Sequence, residues 1–348
     1  MNGIFKHIKR RAETVTNFQK EDIAVKYIVT GVDGKLGGRV AENMLKEVKA
    51  EELIFTCPFL ERLNPEKKKR WEELGVSVKQ ANYDNVEEMA KAFRGGQRLY
   101  IVSAVTIGEI RVQQHKNVVD AAIAAGVEHI TYTSFLGASN PAYAHVYVTP
   151  DHTATEAYIR QKSEETGIKY IFMQDNLYLE NFLTTSVMLA LMSDNKWCTT
   201  AGEGRATFVP KDDVARFATA LLLGKGEDNR IYKACGCESI SLRDICGLIS
   251  ELSGQDIQYC PVGHQEFFEY LDSMHIPRTA TEDFSLSPVP WCGNDMVTNE
   301  ASIAEGLMDV QSTDIEDITG EKPKKARELA KGYAYIWENH IIHWKDIK

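Results

Sequence analysis

The run Lys26-Tyr27-Ile28-Val29-Thr30-Gly31-Val32-Asp33-Gly34-Lys35-Leu36-Gly37-Gly38-Arg39-Val40 constrains this chain more than any other segment. A short apolar stretch enters glycines spaced Gly31-x-x-Gly34-x-x-Gly37, and a helix-like pattern follows at Val40, Leu45 and Val48. Each glycine has a physical task at a dinucleotide site. The first permits a tight turn, the second lets backbone approach a pyrophosphate, and the third lets the helix pack closely on the strand. The helix start then offers free N–H groups and the positive end of a dipole to phosphate. The bland alternative is an ordinary strand–helix turn. Position between an apolar strand and a helix favours the nucleotide reading.

The rest of the chain alternates short apolar runs with helical patterns. Glu52 to Cys57, Val76 to Ala81, Leu99 to Ser103, His129 to Ser134 and Lys169 to Met173 read as strands. Lys67 to Leu74, Val86 to Phe93, Val112 to Ala125 and Asp151 to Thr166 read as helices, the last two closed by Gly126 and Gly167. That alternation predicts an α/β fold, a Rossmann-type doubly wound parallel sheet covered on both faces. Ligands then bind at the carboxyl ends of the strands. The expected division is an extension at 1–25 and a nucleotide-binding domain at 26–184 with a return segment at about 205–236. A smaller mixed α/β substrate-binding part takes 185–204 and 237–348. In that part Asp212 starts a helix, Ile231 to Ala234 is a strand, and Ser241 caps a helix through Leu252. Gln265 to Met274 and the aromatic tail from Lys324 to Trp344 read as helical, with Ser285 to Asn294 irregular between them.

Bulk properties exclude several classes. With 348 residues, 43% hydrophobic and 26% charged, the chain can bury a large core. A formal net charge of -10 opposes nucleic-acid binding. The seven cysteines are scattered, with Cys235-Gly236-Cys237 the one close pair and no second pair at zinc spacing, so no metal site is expected. Unpaired thiols suggest a reducing, cytoplasmic setting. No apolar run is long enough to cross a bilayer, and Met1 to Lys26 is basic without an apolar core, unlike a secretory signal.

Several motifs in order carry a resemblance. They are Val29-Thr30-Gly31-x-x-Gly34-Lys35-Leu36-Gly37, Gly75 through Tyr83, Gln114-His115-Lys116-Asn117-Val118, Ala125-Gly126-Val127 through Tyr132-Thr133-Ser134, His152-x-x-Thr155-Glu156 and Asn176-x-Tyr178-x-Glu180-Asn181. From about Val25 to about Arg278 the chain resembles the NmrA-like branch of the atypical short-chain dehydrogenase/reductases. The resemblance implies NADPH or NADH as cofactor, without flavin or metal, and a monomer or homodimer acting on a small molecule away from membranes. It places Thr30, Gly31, Gly34, Lys35, Leu36, Gly37, Cys57, Arg62, Asn82, Tyr83, Ser103, Ala104 and Thr133 around the dinucleotide. An acid after the second strand grips the ribose of NAD, whereas a cation there suits NADP. Here Thr56-Cys57-Pro58-Phe59 holds neither, and Arg62 follows, which tips the expectation towards NADPH.

The catalytic set departs from the wider superfamily, which uses Ser with Tyr-x-x-x-Lys to protonate a carbonyl oxygen. Ser134 stands where that Ser belongs, but the Tyr position falls on Val148 and the Lys position on His152. A literal Tyr158-x-x-x-Lys162 lies later on the same helix and cannot share a face with His152 at roughly 100° per residue. Ser134, His152 and Tyr178 are therefore the candidate catalytic residues. Without the phenol, a conjugated acceptor that spreads charge is favoured over a plain ketone. Leu136, Tyr143, Tyr147 and Phe182 are candidates to line a pocket for a flat acceptor such as a quinone or dye. Two competing readings are a dinucleotide-binding redox sensor without turnover and an NAD-dependent isomerase or epimerase.

Overall fold

The structure is a computed structural model that describes residues 25–347; the extension assigned to 1–25 lies, but for its last residue, outside them. Strand β1 (Tyr27–Val29) leads through the glycine turn into α1 (Lys35–Glu47). Then come β2 (Leu53–Cys57), α2 (Pro65–Leu74), β3 (Ser77–Gln80), α3 (Val86–Phe93), β4 (Arg98–Ile101) and α4 (Glu109–Ala125). They are followed by β5 (His129–Phe135), α5 (Thr149–Thr166) and β6 (Lys169–Asp175). Local chemistry explains these boundaries. Asn64 caps α2 by accepting from the Lys67 N–H at 3.0 Å, with Pro65 at the first helical position. Gly75, Gly126 and Gly167 end α2, α4 and α5 in the left-handed region.

Beyond β6 lie α6 (Leu179–Asn181), a π-type turn (Phe182–Ser186), α7 (Val187–Met192), β7 (Lys196–Thr199) and β8 (Arg205–Ala206). Helix α8 (Lys211–Leu222) and β9 (Arg230–Ala234) return to the main sheet, followed by β10 (Ile240–Ser241), α9 (Leu242–Ser253), β11 (Gln258–Pro261) and α10 (His264–Ser273). The chain closes with α11 (Gly293–Ala304), α12 (Asp314–Thr319), α13 (Ala326–Ala330) and α14 (Tyr335–Glu338).

Seven strands form the main sheet in the order β3-β2-β1-β4-β5-β6-β9, all parallel. The order reverses between β1 and β4, which opens a crevice at their carboxyl ends, beside the glycine turn. Alternation sorts the side chains. Val29, Phe55, Tyr100 and Met173 share a core with residues of α1 and α8 on one face. Ile28, Ile54, Leu99, Ile101 and Phe172 share another with α3, α4 and α5. Two small sheets, β8–β10 antiparallel and β7–β11 parallel, belong to the mixed C-terminal part, which has its own apolar core around Trp197, Ile249 and Phe267.

The sequence reading needs correction in that part. The tail expected to be one helix from Lys324 to Trp344 breaks into α13, a tight turn and α14, and His340 then turns the chain at φ +48°. Helix α11, not foreseen, buries Asp295, Glu300 and Ser302 along with its apolar residues, so it shows no clean apolar stripe. Strands β7 and β11 and helix α12 were equally unforeseen; at six residues or fewer, each carries too little periodicity to read.

Candidate functional site

The glycine turn is built around contacts that a side chain would block. Gly31 takes φ +62°. A Cβ on Gly37 would stand 2.3 Å from the Gly31 carbonyl oxygen, so the helix lies directly on the turn. Gly34 precedes α1 without any side-chain cap, and the first turn of the helix has no acid. The start of α1 therefore keeps its N–H groups and dipole for an anion. Thr30 pins the turn to the sheet: its Oγ1 donates to Tyr100 O at 3.1 Å and accepts from the Val102 N–H at 3.0 Å and the Tyr83 hydroxyl at 2.6 Å. Asn117 holds Tyr83 in turn through its carbonyl, at 2.9 Å. Asn82 stays local, its N–H on Glu88 at 2.8 Å.

At the end of β2 the Cys57 thiol is buried, and burial together with Asp33 pushes its pKa up to about 11. Arg62 lies 4.2 Å over the Phe59 ring. Burial raises the Asp33 carboxyl, while its own backbone, Arg62 and Lys67 pull the other way. Two cations thus flank the turn. Lys67 reads from sequence as part of a solvated run. Its place one turn into α2 is the signal that brings it to Gly38, whose Cβ would lie 2.9 Å from Lys67 Nζ.

His152 sits in the first turn of α5 and is buried. The Tyr132 hydroxyl lies 2.8 Å from its Nδ1, and its Nε2 has no hydrogen-bond partner among the described residues. Burial, then Arg111 and His115, hold its pKa well below the usual value, so the ring is neutral. His115 accepts the Ala104 N–H at 2.9 Å, and Ser103 donates to Thr133 O. Thr133 Oγ1 donates to the Tyr100 hydroxyl at 2.7 Å.

Ser134 points elsewhere. Its hydroxyl donates to buried Glu156 at 2.7 Å, a carboxylate also held by Gln174 at 2.9 Å and Arg160 at 2.9 Å. Tyr178 donates to Asp175 Oδ2 at 2.7 Å and carries the Lys211 ammonium 5.3 Å over its ring. Tyr158 and Lys162 are far from this constellation in their bonding: Tyr158 donates to Asp120 at 2.6 Å and Lys162 to Glu165 at 2.8 Å.

Of the pocket candidates, Leu136, Tyr143 and Phe182 are buried in the core of the C-terminal part, and Tyr143 donates to Leu307 O. Tyr147 is half-buried, with its N–H on Thr298 of α11 at 3.0 Å. A cavity of about 1140 Å³ lies between α1 and α8. It borders Gly34 and Lys35 but none of Ser134, His152 or Tyr178, so its size says nothing about the acceptor.

A model of the NmrA-like family matches residues 24–335. The chain belongs to the NmrA-like family. Quinone oxidoreductase 2 of Escherichia coli (strain K12) is 27% identical over 249 residues, which cover 72% of this chain and 82% of that protein. The NAD(P)H azoreductase of Xenophilus azovorans is 20% identical over 315 residues, 88% of this chain and 97% of that protein. The solved structure of Citrobacter sp. triphenylmethane reductase complexed with NADP(H) superposes with a TM-score of 0.75 at 26% identity, covering 88% of this chain and all (100%) of that one.

The NmrA-like match stops at residue 335, but the chain continues to the cavity between α1 and α8. Trp344 borders the same cavity as Gly34 and Lys35, and the Lys35 ammonium donates to Ile347 O at 3.1 Å. The Trp344 N–H fixes this tail on Pro288 O at 2.9 Å. Among the described residues no His, Cys, Asp or Glu cluster is arranged to hold a metal, and no helix is long and apolar enough to cross a membrane.

Proposed function

We propose that this NmrA-like protein is an NAD(P)H-dependent reductase that delivers hydride to a flat conjugated acceptor, such as a quinone or a dye. The reading is carried by the open glycine cradle after β1, taken together with a neutral, buried His152 at the start of α5 and Val148 at the position of the usual phenol. The cradle fits a dinucleotide. Gly31 and Gly37 let the turn close tightly with α1 packed directly on it, and the uncapped start of α1 supplies donors for a pyrophosphate. Arg62 and Lys67 suit the 2′-phosphate of NADPH. When bound, the reduced dinucleotide supplies hydride. The chain orients the acceptor and donates a hydrogen bond from His152. Val148 stands where a phenol would serve ketone chemistry, and Tyr158 is committed to Asp120. An acceptor that spreads the incoming charge needs no strong acid, only positioning and a donor. The quinone, azo and dye reductases among its relatives support the same class.

The test is oxidation of NADPH and NADH against quinones, enones, azo compounds, cationic dyes and aliphatic ketones. Quinones or dyes should win on kcat/KM. His152→Ala should cut turnover with dinucleotide binding nearly intact, while Lys162→Ala should change little. The reverse pattern would return the chemistry to Tyr158 and Lys162. One observation favours a dinucleotide-binding regulator instead: the Ser134 hydroxyl is spent on Glu156. Tight dinucleotide binding with no turnover of any acceptor would select that reading.

A further inference from the structure

The direction of each hydrogen bond around His152 can be read atom by atom, and it starts from a group that cannot reverse. The backbone N–H of Ala104 donates to His115 Nε2 at 2.9 Å. That nitrogen therefore carries no hydrogen, and the ring's single hydrogen is on Nδ1. His115 Nδ1 lies 2.9 Å from Thr155 Oγ1, whose own hydrogen is used on Asp151 O at 2.8 Å. Thr155 must accept. The Tyr132 hydroxyl stands 3.3 Å from the same Nδ1 and 2.8 Å from His152 Nδ1. Because His115 Nδ1 is a donor, the Tyr132 hydrogen cannot go there. The Ser103 and Thr155 hydroxyls are near the phenol as well. Neither meets hydrogen-bond geometry with it, however; among the described residues the partners of the Tyr132 hydroxyl are the two imidazole nitrogens, His115 Nδ1 and His152 Nδ1. The Tyr132 hydrogen goes to His152 Nδ1, and the His152 hydrogen is left on Nε2.

We propose that the relay Ala104–His115–Tyr132 fixes His152 as the Nε2–H tautomer, so that it offers a hydrogen-bond donor to the acceptor atom that gains charge. Tyr132 and His115 are then positioning residues. They touch neither acceptor nor dinucleotide, and they act through the orientation and tautomer of His152. All three rings are buried, on β5, α4 and α5, so the packing that holds them also excludes water. The charged groups around the relay are Arg111 and Asp151, an ion pair at 3.6 Å, with Asp295 of α11 next to Arg111. Arg111 opposes a second proton on either imidazole.

The chemistry balances without an acid. The acceptor gains two electrons and one hydrogen with the hydride, and its negative charge spreads over the conjugated system. His152 keeps its hydrogen throughout, and the second proton comes from water after charge has developed. A neutral donor stabilises such an anion without a proton having to be replaced each turnover.

This inference rests on the reading of His152 beside the acceptor, and the test separates the two. Full-length protein labelled with ¹⁵N in histidine is measured by NMR for ring-nitrogen shifts across about pH 6–8. Wild type should show His152 hydrogen-bearing at Nε2 and His115 at Nδ1, opposite tautomers in one relay. Tyr132→Phe keeps the ring and loses the hydroxyl. It should give His152 a mixture of tautomers and lower kcat about 10–100-fold, by analogy with the loss of a hydrogen-bond partner behind a metal-ligating histidine, with NADPH affinity within about twofold. A wild-type His152 bearing its hydrogen on Nδ1 overturns the proposal, even where the variant does not fold. An unchanged kcat in a folded Tyr132→Phe protein overturns the positioning role. If instead the tautomers are as assigned but His152→Ala keeps full turnover, the catalytic reading fails and the relay still stands.

Discussion

Replacing Gly37 by Ala tests whether the cradle is made by backbone contact. The added Cβ would stand 2.3 Å from Gly31 O, 2.6 Å from Gly31 C and 2.6 Å from Thr30 O. All three are backbone atoms, and Thr30 is itself tied to β4 and Tyr83, so nothing nearby can swing away. Overpacking costs about 1–3 kcal/mol, and a rigid backbone neighbour argues for the top of that range. Alanine in place of glycine returns at most ~1 kcal/mol of helix propensity. The net loss is about 2 kcal/mol, and at roughly 2–4 °C per kcal/mol the melting temperature should fall by a few degrees. Dinucleotide binding should weaken further, because α1 can accommodate the methyl only by backing off the turn. Gly38→Ala is the internal control. Its Cβ would meet the flexible end of Lys67 at 2.9 Å and Val32 O at 3.1 Å, so it should cost under about 1 kcal/mol. Differential scanning calorimetry and NADPH titration of both variants read the outcome. A Gly37→Ala protein that melts and binds like wild type, or a Gly38→Ala protein equally damaged, would refute the reasoning.

Three further outcomes are expected. Gly34→Val should abolish NAD(P)H binding by calorimetry while the fold survives, because a branched side chain at the start of α1, its Cβ already 3.3 Å from Gly31 O, would crowd the turn and the helix N–H groups proposed to meet the pyrophosphate. NADPH should bind at least as tightly as NADH, and Arg62→Ala should weaken NADPH alone, by the scale of one exposed phosphate contact, up to about fivefold; a wild-type preference for NADH contradicts this. Glu300 accepts from Thr199 and from the Thr200 N–H, and burial raises its pKa to about 7. The folded state therefore holds a proton that the unfolded chain releases near pH 4.5, so this group's stabilisation is full below that pH and is lost as pH rises towards about 7. Glu300→Gln should flatten that decline and leave the protein about 1–3 kcal/mol more stable than wild type at pH 8, read by urea denaturation at pH 5 and pH 8. Equal pH dependence in the two proteins would show that Glu300 is not the titrating group.

The parallel sheet was legible because its strands are short apolar runs alternating with helical patterns, punctuated by glycines at Gly34, Gly126 and Gly167. Periodicity of that kind survives in one sequence. In the mixed C-terminal part α9 and α10 were legible as well, but α11 was not, because Asp295 and Glu300 break its apolar pattern, and β7 and β11, at four residues each, carry too little alternation to read. Around the site, Tyr132, His115 and His152 all stood in motifs that could be quoted from sequence. Their joining was not readable, since it depends on α4 and α5 packing side by side against β5. The same is true of Lys67, whose charge run looks solvated until α2 is set against Gly38. Val148 and Tyr158 show the converse: spacing on one helix suffices to put Tyr158 off the His152 face, and its bond to Asp120 accords with that geometry.

The chain crosses between its two parts repeatedly. It leaves the main sheet after β6, returns with α8 and β9, leaves again at β10, and touches back through α12 on α8 and through the tail on Lys35. A protein joined by one linker can open like a door about that linker. Here any such swing would have to stretch several covalent connections at once, and it would strip β9 from β6 along five paired residues. Mechanically the two parts form one body. On the proposed reading, a dinucleotide would then enter and leave by local movement at the carboxyl ends of the strands. Exchange kinetics should then carry no signature of a movement of the whole C-terminal part.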